Sequence, residues 1–290
     1  MQEIQTSKNR YAEVPKHADY TIDQQWETYS AEEHDRWDRL MARQKAILPG
    51  RACDEYIKAV DTLELSEGGI PDFEKLSAKL KKLTGWEVVA VADLVPGEYF
   101  FEHLANRRFP AGAFIRPESE MDYLEEPDIF HDVFGHVPLL SDPRFADFMQ
   151  AYGAQGVEAR RRGALPNLGK YYWFTAEFGL INTPEGRRIY GAGILSSMGE
   201  TQFALENPSP NHLKFDIRRV MRQDYFIDDY QPTYFVINDF DELLDFAHKD
   251  FGPIYDDVAG KPFYDIGEVL DTDHVYQRGT LDYFKRKGKL

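Results

Sequence analysis

The chain has 290 residues, and its formal charge of -16 repels nucleic-acid phosphates and anionic membranes alike. Hydrophobic residues make up 42% and aromatics 14%, enough for one large core and for a pocket lined with rings. A single cysteine, Cys53, excludes an internal disulfide and any cysteine-rich zinc or iron–sulfur site.

Residues 1–20 are polar, carry Pro15 and read as a flexible arm. The N-terminus has no apolar core of a signal peptide, and no segment approaches the roughly 20 apolar residues of a membrane helix, which predicts a cytoplasmic protein. Residues 21–48 read as helix, with Ser30 and Glu33 spaced as a capping box. Trp37, Leu40, Met41 and Gln44 follow at helical spacing, and Pro49-Gly50 stops the run. A second helix is predicted over 52–63, before Glu67 and two glycines. A third carries Phe73, Leu76, Leu80 and Leu83 on one face.

The β-branched run 86–91 is the best strand, 99–106 a short helix, and 108–116 an extended segment. Helices are predicted over 145–159 and 170–178, with a loop at 163–167 between them. Short strands are predicted at 187–190 and 194–197, arranged as a small hairpin rather than a large sheet, followed by helix to about 205. Residues 232–237 read as strand. Asp239 then caps a helix with Phe240, Leu243, Leu244 and Ala247 inward. The fold class is mainly α: one catalytic domain over 21–270, built of packed helices with four to six short strands, and a C-terminal tail over 271–290.

Two stretches carry the chemistry. Residues 127–138 hold His131 and His136 in an apolar run, and residues 171–180 hold Glu177 among Trp, Phe, Ala and Leu. A carboxylate in such company is costly to bury without a partner, and a metal ion would be one. Two imidazoles and a carboxylate suit iron in oxygen chemistry and also catalytic zinc, so ligand identity alone leaves both open. Residues five apart on an α-helix point about 140° from each other. The two histidines therefore converge only if the helix yields, and Gly135 with Pro138 predicts fraying there. Asp132, next to His131, points elsewhere and is not a natural third ligand. Asp128, three residues before His131, is placed to cap the helix. Zinc proteases need histidines four apart with glutamate beside the first, which this run lacks. Arg116 could clamp a carboxylate, and Ser196, Ser197 and Glu200 follow a glycine-rich bend that a ligand could approach.

Four motifs in order, at 127–139, 172–180, 190–200 and 230–234, resemble the pterin-dependent aromatic amino acid hydroxylases, and within them the short bacterial members that act on phenylalanine. The resemblance covers about residues 85–270. It implies Fe(2+) on His131, His136 and Glu177, a tetrahydropterin (tetrahydrobiopterin-like) cosubstrate, O2, and conversion of L-phenylalanine to L-tyrosine with no side chain as covalent nucleophile. By the same resemblance Arg116 holds the substrate carboxylate, with Ser196 in support. Pro127, Trp173, Phe178 and Ile227 surround the ring, and Tyr225 belongs to the wall. Leu94, Val95, Phe100 and Asp132 face the pterin.

Asp132 stands where many relatives have glutamate, and Leu124 where they often have threonine. Within the resemblance, Trp173 and Ile227 are similar to the residues of the phenylalanine enzymes, which implies phenylalanine over the sister substrates tryptophan and tyrosine. A zinc-dependent hydrolase with the same three ligands is the alternative of another class. The tail shows no heptad run and the chain has no room for the regulatory domain of the long tetrameric members, which predicts a monomer without phenylalanine allostery.

Overall fold

The structure, a computed structural model, describes residues 10–11, 13–66, 68–122 and 126–290. Half of the expected arm (1–9 and Ala12), Glu67 and Leu124 lie outside these residues, as does the side chain of Ala247. Among the described residues, helices predominate: α1 (Ala31–Ile47), α2 (Asp54–Thr62), α3 (Phe73–Leu83), α4 (Gly97–Ala105), α5 (Pro143–Arg161), α6 (Leu165–Tyr172), α7 (Ala192–Leu195), α8 (Met198–Glu206), α9 (Ile217–Val220), α10 (Phe240–Ala247), α11 (Gly252–Val258) and α12 (Asp282–Arg286). The strands are β1 (Glu87–Val91), β2 (Arg108–Gly112), β3 (Leu180–Thr183), β4 (Gly186–Ile189), β5 (Asn211–Lys214), β6 (Thr233–Ile237) and β7 (Val275–Gln277). No helix among these is long and apolar enough to cross a membrane.

The first long helix starts at Ala31 rather than at residue 21. Ser30 and Glu33 form the capping box in both directions, and that box fixes the start. Thr21 instead bridges to Val91 beside β1. Trp37, Leu40, Met41 and Gln44 are buried as their spacing predicts. On α3, Phe73, Leu76 and Leu80 are buried but Leu83 is 46% exposed, because the helix ends there and its last turn leaves the core.

The β structure is larger than the expected hairpin. β1 and β2 pair in parallel. The other five strands form one sheet in the order β4-β3-β6-β5-β7, giving seven strands among the described residues instead of four to six. The β3–β4 hairpin exists, but β3 also pairs with β6. Of residues 194–197, expected as strand, 194 and 195 belong to the helical turn α7 and none is strand. The expected loop at 163–167 ends early, at the start of α6.

The core wraps the back of the histidine segment. Phe130 stacks on Phe134 with centroids 4.8 Å apart, and Trp37 meets Phe130 edge-on at 5.3 Å. Phe130, Val133, Phe134 and Val137 are all fully buried. This apolar side anchors the segment, which leaves the histidine side free for the cavity opposite.

Candidate metal centre and substrate cavity

The histidine segment does not fray; it is rewound. Residues Phe130–His136 form a π-helical turn, and Trp173–Glu177 form a second one directly after α6. In the second, the Phe178 amide donates to the Trp173 carbonyl five residues back, at 2.9 Å. A turn closed over five residues brings positions five apart onto one face. His131 and His136 therefore converge inside the helix, with ring centroids 5.2 Å apart.

Each departure from α geometry has a local cause. Pro138 has no N–H for the Phe134 carbonyl, and the Tyr56 hydroxyl donates to it instead at 2.6 Å. The Thr175 hydroxyl donates to the Tyr171 carbonyl at 2.6 Å, a side-chain bond back across the junction of α6 and the second π turn. Gly135 allows close packing on α7. A Cβ there would lie 3.0 Å from both the carbonyl oxygen and the Cβ of Ala192. Gly193 likewise leaves room for the Phe178 ring, which a Cβ would meet at 2.7 Å.

One ligand atom from each of His131, His136 and Glu177 lies within 4.8 Å of the others. Glu177 Oε1 is 3.1 Å from His136 Nε2, and Oε2 is 3.6 Å from His131 Nε2. Burial pulls the His131 pKa down to about 4, leaving a neutral imidazole. Burial would lower His136 too, but the adjacent Glu177 carboxylate outweighs it and raises His136. Burial would raise Glu177, and His136 reverses that in turn. The Ser196 hydroxyl donates to the Ala192 carbonyl at 2.8 Å and lies 2.9 Å from His131 Nδ1. A hydroxyl whose one proton is spent on a carbonyl accepts from Nδ1–H, which leaves the Nε2 lone pair for a metal. The donor set, its depth and its tautomer all fit a divalent cation of the iron or zinc kind.

Asp128 does more than cap. Its Oδ1 accepts from the His131 amide at 3.0 Å and from Arg116 Nη2 at 2.8 Å. Its Oδ2 accepts from the Arg116 backbone amide at 2.9 Å and from Nε at 2.8 Å. Both side chains are buried. Asp128 thus ties the guanidinium to the histidine turn, and among the described residues Nη1 has no hydrogen-bond partner. The sequence suggested only the cap.

A cavity of about 730 Å³ brings together Leu94, Arg116, Pro127, His131, Trp173, Glu177, Phe178, Ser196 and Ile227. His136 lies behind, its ring stacked at 6.0 Å on Tyr172. Tyr225 stacks on Trp173 at 4.2 Å, and Phe178 tilts against Trp173 at 4.7 Å. The Trp173 indole N–H donates to Gln231 Oε1 at 3.2 Å. Ile227 and Leu94 are 79% and 75% exposed, so they stand at the mouth rather than on the floor.

Val95, Phe100 and Asp132 do not line this cavity. Phe100 packs edge-on against Tyr172 at 5.7 Å. Asp132 Oδ2 accepts from the Gly112 amide at 2.7 Å, and burial pushes its pKa up to about 7 against that bond. It stays out of the ligand group, as its place in the sequence predicts. Glu200 lies on the cavity wall, its Oε1 accepting from the Tyr234 hydroxyl at 2.7 Å. Sequence reasoning missed Tyr283 and Lys287, which line the cavity from α12 and just after it. No local pattern announces them, because the contact is long-range.

The chain belongs to the biopterin-dependent aromatic amino acid hydroxylase family, whose sequence model matches residues 3–255. Among its relatives, it is 56% identical over 272 residues to the phenylalanine-4-hydroxylase of Caulobacter vibrioides, covering 94% of this chain and 92% of that one. It is 52% identical to that of Ralstonia nicotianae, covering 91% and 84%. The crystal structure of Chromobacterium violaceum phenylalanine hydroxylase with iron and phenylalanine bound superposes with a TM-score of 0.87 at 48% identity, over 91% of this chain and 97% of that one. Membership decides between oxygen chemistry and hydrolysis, which the three donors leave open.

Proposed function

We propose that this protein is a phenylalanine 4-monooxygenase, converting L-phenylalanine and O2 to L-tyrosine with non-haem iron(II) and a tetrahydropterin. The observation that carries the reading is the convergence of His131, His136 and Glu177 beside a cavity that Arg116 and Trp173 also line. The named relatives, and the homologue with iron and phenylalanine bound, support the same ligands here.

Iron(II) would be held by His131, His136 and Glu177, and together with the reduced pterin it would supply the activation of O2. The chain's own groups bind and orient. Arg116 offers Nη1 to the substrate carboxylate, and Asp128 keeps the guanidinium from swinging away. Trp173, held between Tyr225 and Phe178, sets the plane of the ring slot, and Pro127 closes its side. Ser196 keeps His131 in one tautomer. Leu94, Val95, Phe100 and Asp132 form the pterin side, with Phe100 fixed by Tyr172.

The catalytic unit includes residues 21–270. A monomer is part of this reading: α12 buries Phe284 against its own chain rather than offering it to a second copy. So is a cytoplasmic location, which the single buried thiol of Cys53 suits.

The test is anaerobic loading with iron(II), then tetrahydropterin, O2 and phenylalanine, with tyrosine quantified. Tyrosine should form, and should disappear without pterin and in Glu177→Ala. Pterin oxidation without tyrosine would move the substrate to another aromatic amino acid. Neither product from folded, iron-loaded protein would sink the reading.

A further inference from the structure

Residues 224–231 supply the Tyr225 ring and the Gln231 amide that hold Trp173, yet they carry no helix or strand. No sheet ladder or helical ladder fixes this segment, so side-chain ties must. Lys170 on Asp224, Glu200 on the Gln231 amide and Phe203 against Tyr230 supply some of them, and the end of the chain supplies those on Phe226, Asp228, Asp229 and Tyr230. Phe284, fully buried, stacks on Phe226 at 5.7 Å. Tyr283 stacks on Tyr230 at 5.5 Å and donates its hydroxyl to Asp229 Oδ1 at 3.0 Å. Lys287 Nζ lies 2.8 Å from Asp229 Oδ2 and donates to the Tyr283 hydroxyl at 2.7 Å. Lys289 Nζ lies 3.0 Å from Asp229 Oδ2 and 3.1 Å from Asp228 Oδ1. Asp229 Oδ1 also accepts from the Tyr230 amide at 2.9 Å, and the Asp229 side chain is only 4% exposed.

We propose that the C-terminal helix, through Tyr283 and Lys287 on Asp229, positions residues 225–231 and thereby sets the ring slot that selects phenylalanine over a bulkier aromatic amino acid. The inference rests on the monooxygenase reading for its substrate. The chain of contact is continuous. Lys287 and Tyr283 fix Asp229; the segment around Asp229 carries Tyr225 and Gln231 at its two ends; those two fix the face and the N–H of Trp173. Lys287 is 46% exposed, so the hold on Asp229 comes from several bonds converging on one nearly buried carboxylate rather than from a single ion pair. Tyr283 and Lys287 also line the cavity, where slack would widen the slot directly.

The experiment compares Lys287→Ala, Tyr283→Phe and Lys287→Arg with the unaltered full chain. Hydrogen exchange of the amides of 225–231 is read first, and needs no turnover. Protection there should fall in Lys287→Ala and Tyr283→Phe and return in Lys287→Arg. In the iron-loaded enzyme, KM for phenylalanine should rise about five-fold in Lys287→Ala while KM for the pterin stays put, and turnover of tryptophan relative to phenylalanine should increase. Unchanged exchange in both variants would overturn the proposal. So would exchange that rises throughout the chain, or two KM values that rise together, since a merely structural role predicts that. If the unaltered chain makes no tyrosine, the functional reading fails, and the exchange data still decide whether the helix positions the segment.

Discussion

Ser196 and His131 are joined through a hydroxyl that has only one proton to give, and that proton goes to the Ala192 carbonyl. The imidazole must then donate from Nδ1, so its Nε2 faces Glu177 unprotonated. Ser196→Ala removes the acceptor and frees both the tautomer and the ring's rotation. Loss of such a partner typically weakens metal binding by about ten- to a hundred-fold. Competition titration of iron(II) against a chelator should show a loss of that size. Thermal unfolding of the same variant without metal should stay close to that of the unaltered protein.

Asp128→Ala strips the partner from a buried guanidinium. Leaving one charge of a buried pair uncompensated costs about 3–5 kcal/mol. Both side chains are under one-tenth exposed, so solvent offers little relief. Urea unfolding should show the loss. In whatever fraction stays folded, KM for phenylalanine should rise more than KM for the pterin, because Arg116 is no longer aimed. Equal shifts in the two would argue that Arg116 does not meet the substrate.

The reach of sequence reasoning followed the range of the forces involved. Short-range signals were legible: the Ser30–Glu33 box, the buried face of α1, the β1 run and the helix after Asp239 all appear where their residues predict. The three donors were legible as residue types. Their convergence was expected through fraying at Gly135 and Pro138, but the π turn that achieves it was not, because α-helical arithmetic separates positions 131 and 136. In the π turn that unites them, the Phe134 carbonyl that Pro138 leaves open is met by Tyr56 from 78 residues away. β5, β7 and the closure of α12 on the cavity were missed for the same reason. Asn211–Lys214 has no strong period of its own and becomes a strand because β6 lies beside it.

Glu200 should make stability fall as pH rises. Burial pushes its carboxyl up from the ordinary 4.5 to about 8, against the bonds from Tyr234 and the Gln231 amide. Below pH 4.5 both folded and unfolded chains hold the proton, and the group is neutral in its effect. Between 4.5 and about 8 the unfolded chain ionises while the folded chain does not, so stability is lost through that window. Glu200→Gln keeps the acceptor without the ionisation. Denaturation at a series of pH values should give a flatter profile for the variant, with its advantage greatest at pH 8 and above and none below 4.5. An unchanged slope would show that Glu200 titrates normally.

Gly135 tests whether the π turn depends on its seat against α7. A methyl group there would meet the Ala192 carbonyl oxygen, its Cβ and its Cα at 3.0, 3.0 and 3.2 Å. Overpacking of this kind costs about 1–3 kcal/mol. Here the strain falls on the residue just before His136 and on the carbonyl that orients Ser196. Gly135→Ala should therefore lower iron affinity as well as stability. Ala192→Gly in the same chain removes the facing Cβ but not the carbonyl, so it should restore part of both. A double-mutant cycle read by iron titration and by urea unfolding separates the outcomes. If stability returns and iron affinity does not, the seat shapes the helix but not the ligands. If Gly135→Ala costs neither, α7 gives way and the turn holds itself.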